Sequence, residues 1–120
     1  MSSPTQRSLR HLRDNGWMAC VVERFIPKRG GMLFPRRIDA FNFGDILAMR
    51  PPMEGRPPAI ALVQTTSGAG GTFAKHREKI LATPGFREWK AAGGYVFLQG
   101  WVLRKRKDQR PRWELREEEL

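Results

Sequence analysis

One continuously apolar segment, residues 59–63, most constrains what this chain can fold into. An unbroken apolar run of this length is typical of a central strand that is covered on both faces of its sheet. Such a strand requires helices on both sides. The segment therefore predicts an α/β domain with a mixed β-sheet flanked by helices.

The flanking segments supply the other elements of one domain, residues 1–120. Leu9 and Leu12 lie at helical spacing ahead of an Asn-Gly stop signal, and apolar runs bounded by Gly or Pro indicate strands. The predicted order is αβββααββ, with a loose N-terminus at 1–4 and a basic loop at 104–112. Helices are predicted at residues 5–15, 72–83 and 86–92, and strands at 17–25, 37–49, 59–67, 95–103 and 113–120.

Basic residues recur along the whole chain. Lys and Arg total 22 against 12 Asp and Glu, a formal net charge of +10. This imbalance favours a polyanionic partner and makes nucleic acid the first expectation; the alternative is a solvated surface without a target. The predicted nucleic-acid contacts are Arg24, Lys28, Arg29, Lys75, Arg104, Lys105, Arg106 and Lys107.

Cys20 is the only cysteine, so the chain has no internal disulfide and no cysteine-based zinc site. It lies in the apolar run 18–22, which predicts a buried structural thiol in a reducing, cytoplasmic setting. No apolar segment approaches the roughly 18 residues of a membrane span, and no secretion signal is evident.

Asp45 and Gln64 are the strongest site candidates. Asp45 lies in the apolar stretch 43–48, where an unpaired buried carboxylate is costly, so we expect it to be paired or to bind metal. Gln64 and Thr66 follow the apolar strand two residues apart and face the same side. If the two strands are neighbours, a carboxylate and a carboxamide meet where a hard cation could sit.

These segments resemble the PD-(D/E)XK nuclease superfamily, the restriction-endonuclease-like fold that includes archaeal Holliday-junction resolvases. The matching pieces are RIDAFNFGDILAMR at 37–50, IALVQTTS at 60–67, and Gly100-Trp101. The resemblance extends in element order from about Leu9 to Trp101. It implies a restriction-endonuclease-like mixed sheet, hydrolysis of DNA phosphodiesters with Mg²⁺ or Mn²⁺, and the homodimers that such relatives often form.

In this resemblance Asp45 falls on the second-strand aspartate, Gln64 on the acidic position and Thr66 on the lysine position. Thr66 departs from the family pattern, because a hydroxyl cannot supply the positive charge of lysine. Lys75 and Lys79, one helical turn apart on the next helix, are the candidate replacements, and Lys79 is preferred; the alternative is a solvated or phosphate-contacting lysine. The implied catalytic residues are therefore Asp45, Gln64 and Lys79.

Glu23 completes the implied metal ligands, Asp45, Gln64 and Glu23, unless it pairs with an arginine. Asp39 has Arg36 or Arg37 beside it and is expected to be ion-paired, in a supporting role. His76 is a candidate general base or phosphate contact, although a single helical histidine is more often neither.

Three functions follow from different classes. The first is a divalent-metal-dependent DNA endonuclease or resolvase-like phosphodiester hydrolase. The second, favoured by the missing lysine, is a catalytically silent DNA-binding member of the same fold. The third is a small basic RNA-binding or assembly protein that uses its tryptophans for stacking, although their apolar surroundings favour core packing. These tryptophans are Trp17, Trp89, Trp101 and Trp113.

Overall fold

The computed structural model describes residues 3–28, 30–31, 34 and 36–120. Among them are three helices: α1 (Pro4–Asp14), α2 (Thr72–Ala82) and α3 (Pro84–Ala91). Helix α1 begins after Ser3, whose hydroxyl accepts a hydrogen bond from the Gln6 amide, so the helix starts inside the predicted loose terminus. No helix in the described part of the chain is long and apolar enough to cross a membrane.

Seven strands occur among the described residues. Five form the main sheet in the order β1-β4-β5-β6-β7, in which β5 and β6 run parallel and the other neighbours antiparallel. Two form a separate antiparallel ribbon, β2–β3. The strands are β1 (Met18–Val21), β2 (Arg24–Ile26), β3 (Arg36–Ile38), β4 (Ile46–Arg50), β5 (Ala59–Ser67), β6 (Tyr95–Arg104) and β7 (Arg112–Glu119).

Strand β5 is the centre of the sheet, as its apolar run predicts. On one face Ala61 and Val63 pack with Leu9 and Leu12 of α1. On the other face Leu62 packs in a cluster that includes residues of α2. The prediction of an α/β domain with a mixed, helix-covered sheet is therefore confirmed.

The predicted element order is correct for the main sheet and its helices but omits the ribbon β2–β3. Each of two predicted strands is interrupted, so that β2 and β3 are inserted between β1 and β4. The break within 37–49 lies at Phe41 and Asn42, whose φ angles of 53° and 68° are incompatible with an extended strand. Asp45 consequently directly precedes β4.

Cys20 is exposed, so the prediction of a buried thiol is wrong. It lies on β1, an edge strand whose residues are exposed or half-buried. An apolar run alone does not show whether a strand is central or at an edge. That difference decides the burial of Cys20.

Two of the four tryptophans pack against the core as predicted, and a third is held by a hydrogen bond. Trp17 and Trp89 lie against the two core clusters, and the Trp101 indole donates a hydrogen bond to Ser8 Oγ over 2.9 Å. Trp113 is the exception, because it is 46% exposed and the Arg7 guanidinium lies 3.5 Å from its ring centroid.

Candidate metal centre

The candidate site lies at one end of the main sheet. Val21, Ile46 and Val63 are level with one another across β1, β4 and β5. The backbone of Asp45 joins the three strands at this end: its amide donates to Val63 O and its carbonyl accepts from Val22, each over 2.9 Å. The predicted meeting of two strand ends is therefore present.

The Asp45 side chain is buried and held by three donors to one oxygen. Oδ2 accepts from the Thr65 amide at 2.8 Å, from Thr65 Oγ1 at 3.1 Å and from Gln64 Nε2 at 3.0 Å. Only 4% of the residue is exposed. The carboxyl group is thus fixed in orientation, and its second oxygen, Oδ1, receives none of these three hydrogen bonds.

Two further carboxylates lie beside Asp45. One oxygen from each of Glu23, Asp39 and Asp45 lies within 4.8 Å of the other two. Asp39 therefore belongs to the cluster, whereas the sequence favoured a supporting ion pair. The side chains of Arg36 and Arg37 lie outside the described residues, so their predicted pairing with Asp39 stays a prediction.

The pKa of Asp45 is raised from 3.8 to about 8. Burial is the largest cause, followed by a hydrogen bond with Asp39; donation from Thr65 acts in the opposite direction. When ionised, carboxylates this close together repel each other. A divalent cation bound between them would offset that repulsion. Carboxylate oxygens are also the ligands that Mg²⁺ and Mn²⁺ prefer, so these residues fit such an ion.

Gln64 lies opposite Asp45, as predicted, but it presents its amide nitrogen to the carboxylate. An amide nitrogen does not bind Mg²⁺, so only Oε1 of Gln64 can act as a ligand. Asp39 adds a carboxylate beside Glu23 and Asp45, whereas the position that the resemblance makes acidic is held by the uncharged Gln64. The predicted metal-binding role of Gln64 stays a prediction.

These groups line one cleft of about 620 Å³. Lys79 lines it from α2, although the residue itself is exposed. Lys75, one turn earlier, is not among the described residues of its wall. The titratable or amide side chains of the cleft are Gln6, Glu23, Asp39, Asp45, Gln64, His76 and Lys79.

His76 enters the cleft with a defined tautomer. Its Nδ1 lies 2.9 Å from Thr72 O and 3.3 Å from Thr66 Oγ1. Because a carbonyl oxygen can only accept, Nδ1 carries a proton and donates it to Thr72. Nε2 of the neutral ring is then the atom that can accept a proton.

Thr65 is a site residue that the sequence did not single out. Its hydroxyl lies between Asp45 Oδ2 and the Thr5 hydroxyl, 2.9 Å away on α1. Thr65 is buried although it is polar. Its place in the strand that continues the apolar run 59–63 is the sequence signal that could have indicated a buried, hydrogen-bonded hydroxyl.

The predicted nucleic-acid contacts are exposed wherever the structure describes their side chains. Arg29 lies outside the described residues. Four of the predicted contacts lie on the β6–β7 hairpin. The end of β5, Ser67, is level with Trp101 of β6, and β6 continues to Arg104. The hairpin therefore extends past the end of the sheet that holds the acidic cluster. Arg104 and Arg106 pair with Glu114 over 3.4 and 2.8 Å. The observed loop of the hairpin, residues 105–111, is one residue shorter at each end than the predicted basic loop 104–112.

Comparisons with protein-family models, with curated proteins and with solved structures found no match to this chain. The function of the site is therefore inferred from its chemistry and its position in the fold.

Proposed function

We propose that this chain is a divalent-metal-dependent DNA phosphodiester hydrolase with a restriction-endonuclease-like fold. The observation that carries the proposal is the convergence of three carboxylates at the end of the sheet where Gln64 faces Asp45. Without the ribbon β2–β3, the elements follow the order αβββααββ that the resemblance implies. Both the order and the site thus support the same proposal.

Asp45, Asp39 and Glu23 would hold the cation. When bound, it would polarise the scissile phosphate and stabilise the negative charge that develops on the phosphate oxygens. Thr65 and Gln64 orient the Asp45 carboxyl group through Oδ2. This fixed orientation reduces the reorganisation needed to bind a substrate phosphate.

Two cleft residues add chemistry of their own. Lys79 supplies the positive charge that Thr66 lacks, and it can contact a phosphate oxygen. His76 Nε2 can accept a proton, because Nδ1 is committed to Thr72. The chain therefore carries a cation and a proton acceptor beside its carboxylates.

The β6–β7 hairpin supports DNA as the substrate. It carries six basic residues at and beyond the end of the sheet that holds the carboxylates. Cations at such a position contact backbone phosphates and give salt-dependent affinity with little sequence preference. The six are Arg104, Lys105, Arg106, Lys107, Arg110 and Arg112.

The test is cleavage of labelled linear, nicked, single-stranded and four-way-junction DNA with Mg²⁺ or Mn²⁺. We expect cutting of at least one substrate, and its complete loss on chelation by EDTA. Salt-sensitive binding without cutting would instead establish the second candidate, a silent DNA-binding member, which Thr66 favours. Absence of DNA binding would overturn both and leave a basic RNA-binding or assembly protein.

Replacing Lys79 with alanine should slow cleavage about 10²-fold, because a charge that stabilises the developing phosphate charge is lost. Lys90→Ala is the matched control: Lys90 is also an exposed lysine on a helix, α3, and it is not among the described residues of the cleft wall. It should change the rate by less than about twofold, within the range of a distant surface charge. Equal rates for the two variants would remove Lys79 from the proposed site.

Replacing Lys105 and Lys107 together with alanine should weaken binding of duplex DNA about tenfold at moderate salt. Each lost phosphate contact removes about 0.9 from the slope of log K against log salt, so the slope should fall by about 2. Both lysines are exposed and lie outside the Glu114 ion pairs. Fluorescence anisotropy over a salt series measures the two quantities.

The matched control for the hairpin removes two charges from the opposite end of the sheet. Arg56 lies in the β4–β5 connection and Lys90 near the end of α3, and both are exposed. The double variant Arg56→Ala, Lys90→Ala should keep the wild-type slope. A slope that falls equally in both double variants would show that binding reflects net charge and not the hairpin.

A further inference from the structure

The ribbon β2–β3 stands apart from the main sheet. Its strands pair with each other through Arg24 and Ile38, Phe25 and Arg37, and Ile26 and Arg36. Among the described residues, neither strand packs closely against another helix or strand. Its chain connections lead from Glu23 on one side and to Asp39 on the other. Both of these residues belong to the acidic cluster.

Phe25 is an exposed aromatic side chain in the wall of the acidic cleft. It is 63% exposed, and it lines the same cleft as Asp45, Gln64 and Lys79. Ile26, the next residue, is half-buried and points to the opposite face of the ribbon. Phe25 belongs to neither core cluster of the described residues, so its apolar ring is available to a ligand in the cleft.

The surroundings of Phe25 restrict what that ligand can be. Lys79 lines the same cleft as Phe25 and supplies a cation there, and Lys28, three residues further along the chain, is exposed. A ligand that suits both a flat apolar ring and neighbouring cations combines a planar group with an anion, which is the composition of a nucleotide. Stacking of a base on an aromatic side chain with its phosphate near cations is typical of proteins that bind unpaired nucleotides.

We infer that Phe25 stacks on an unpaired DNA base that enters the cleft beside the acidic cluster. In a continuous duplex each base is already stacked on both faces, so the ring gains this contact only where a nucleotide is unpaired or displaced. The inference rests on the proposed function and makes it more specific. It identifies the favoured substrate as DNA with an unpaired nucleotide at the site of cleavage.

The experiment compares binding of two labelled duplexes that differ by one unpaired nucleotide, in EDTA so that no cleavage occurs. Phe25→Ala should weaken binding of the bulged duplex about 5- to 100-fold, the usual effect of removing a stacked aromatic side chain. Binding of the fully paired duplex should change by less than about twofold. Phe25→Trp should restore the preference, because indole also stacks, and Phe25→Leu should not.

The matched control is Ile60→Ala. Ile60 is 52% exposed on the same protein but lies at the other end of the sheet, level with Met49. Its replacement should leave both affinities unchanged. An equal loss of affinity for the two duplexes in Phe25→Ala, or full retention of the preference in Phe25→Leu, would overturn the stacking contact.

The outcomes separate this inference from the proposed function. A preference for the bulged duplex that depends on Phe25, together with no cleavage in Mg²⁺, would support the stacking contact and contradict hydrolysis. Metal-dependent cleavage with no effect of Phe25→Ala on either duplex would support hydrolysis and overturn the stacking contact. Absence of DNA binding by the wild type would overturn both.

Discussion

Replacing Asp45 with asparagine should lower the rate of metal-dependent DNA cleavage at least about 10³-fold, from the loss of several kcal/mol of stabilisation by the cation. Asp45 is the buried member of the carboxylate cluster. Asparagine keeps its shape, and its amide oxygen can accept the three hydrogen bonds now made to Oδ2. The charge is lost while the fold is kept. Single-turnover cleavage in Mg²⁺ measures the effect.

DNA binding provides the internal check on this result. In EDTA the Asp45→Asn variant should bind at least as tightly as the wild type, because asparagine adds no negative charge beside the phosphates at any pH, and above about pH 8 it removes one. Asp14→Asn is the matched control, since Asp14 is exposed at the far end of α1, outside the cleft. Cleavage by Asp45→Asn at the rate of Asp14→Asn would show that the acidic cluster is not the catalytic centre.

The sequence alone was sufficient to predict the centre of the fold. An apolar run bounded by turn signals indicates a covered strand, and the alternation of side chains then assigns Gln64 and Thr66 to one face. The position of Asp45 beside β5 followed from treating the two segments as neighbours. The register confirms it, because Ile46 pairs with Val63 and Asp45 comes one residue before Ile46.

The ribbon β2–β3 could not be predicted in the same way. Residues 17–25 contain no glycine or proline that would predict a break. Strand β1 ends at Val21 because its pairing with β4 ends there, at Ile46. The turn before β4 depends on left-handed backbone at Phe41 and Asn42. Asparagine is common in that conformation, but phenylalanine is not, so local preference does not indicate the turn.

The position of Asp39 has the same origin. Adjacent arginines in the sequence favour an ion pair, whereas the turn brings the chain back toward β4: the Ala40 amide donates to Gly44 O, and the Gly44 amide to Ala40 O, over 2.8 and 2.9 Å. Asp39 is thereby carried next to Asp45. The spacing of residues in the sequence does not indicate a contact that depends on how this turn folds. The membership of Asp39 in the acidic cluster is therefore seen only in the structure.

The titration of Asp45 leads to a second large effect, on stability. In the metal-free protein the folded state holds the Asp45 proton up to about pH 8, whereas an unfolded chain releases it near pH 3.8. Between these values the folded state binds more protons, so the free energy of unfolding must fall as pH rises. The contribution is fully present below the unfolded pKa and is lost as pH passes through the folded pKa.

We expect the free energy of unfolding of the wild type, compared with Asp45→Asn, to fall by about 2 to 5 kcal/mol between pH 4 and pH 8. The two pKa values differ by about 4, and each pKa unit corresponds to about 1.4 kcal/mol, so the upper figure is close to the full effect. Asparagine cannot ionise, and its amide can donate to Asp39 where the shared proton now lies. Urea unfolding in EDTA at several pH values measures the difference.

Adding Mg²⁺ at pH 8 links this titration to the proposed metal centre. A cation that binds only the folded, ionised cluster raises the free energy of unfolding of the wild type by mass action, by about 2.7 kcal/mol when free Mg²⁺ is one hundred times its Kd. The free energy of unfolding of Asp45→Asn should stay nearly unchanged. A wild type that loses no stability relative to Asp45→Asn between pH 4 and pH 8 would show that Asp45 is already ionised. Stabilisation of both proteins by Mg²⁺ to the same extent would place the cation elsewhere on the chain, because the variant lacks the buried carboxylate of the cluster.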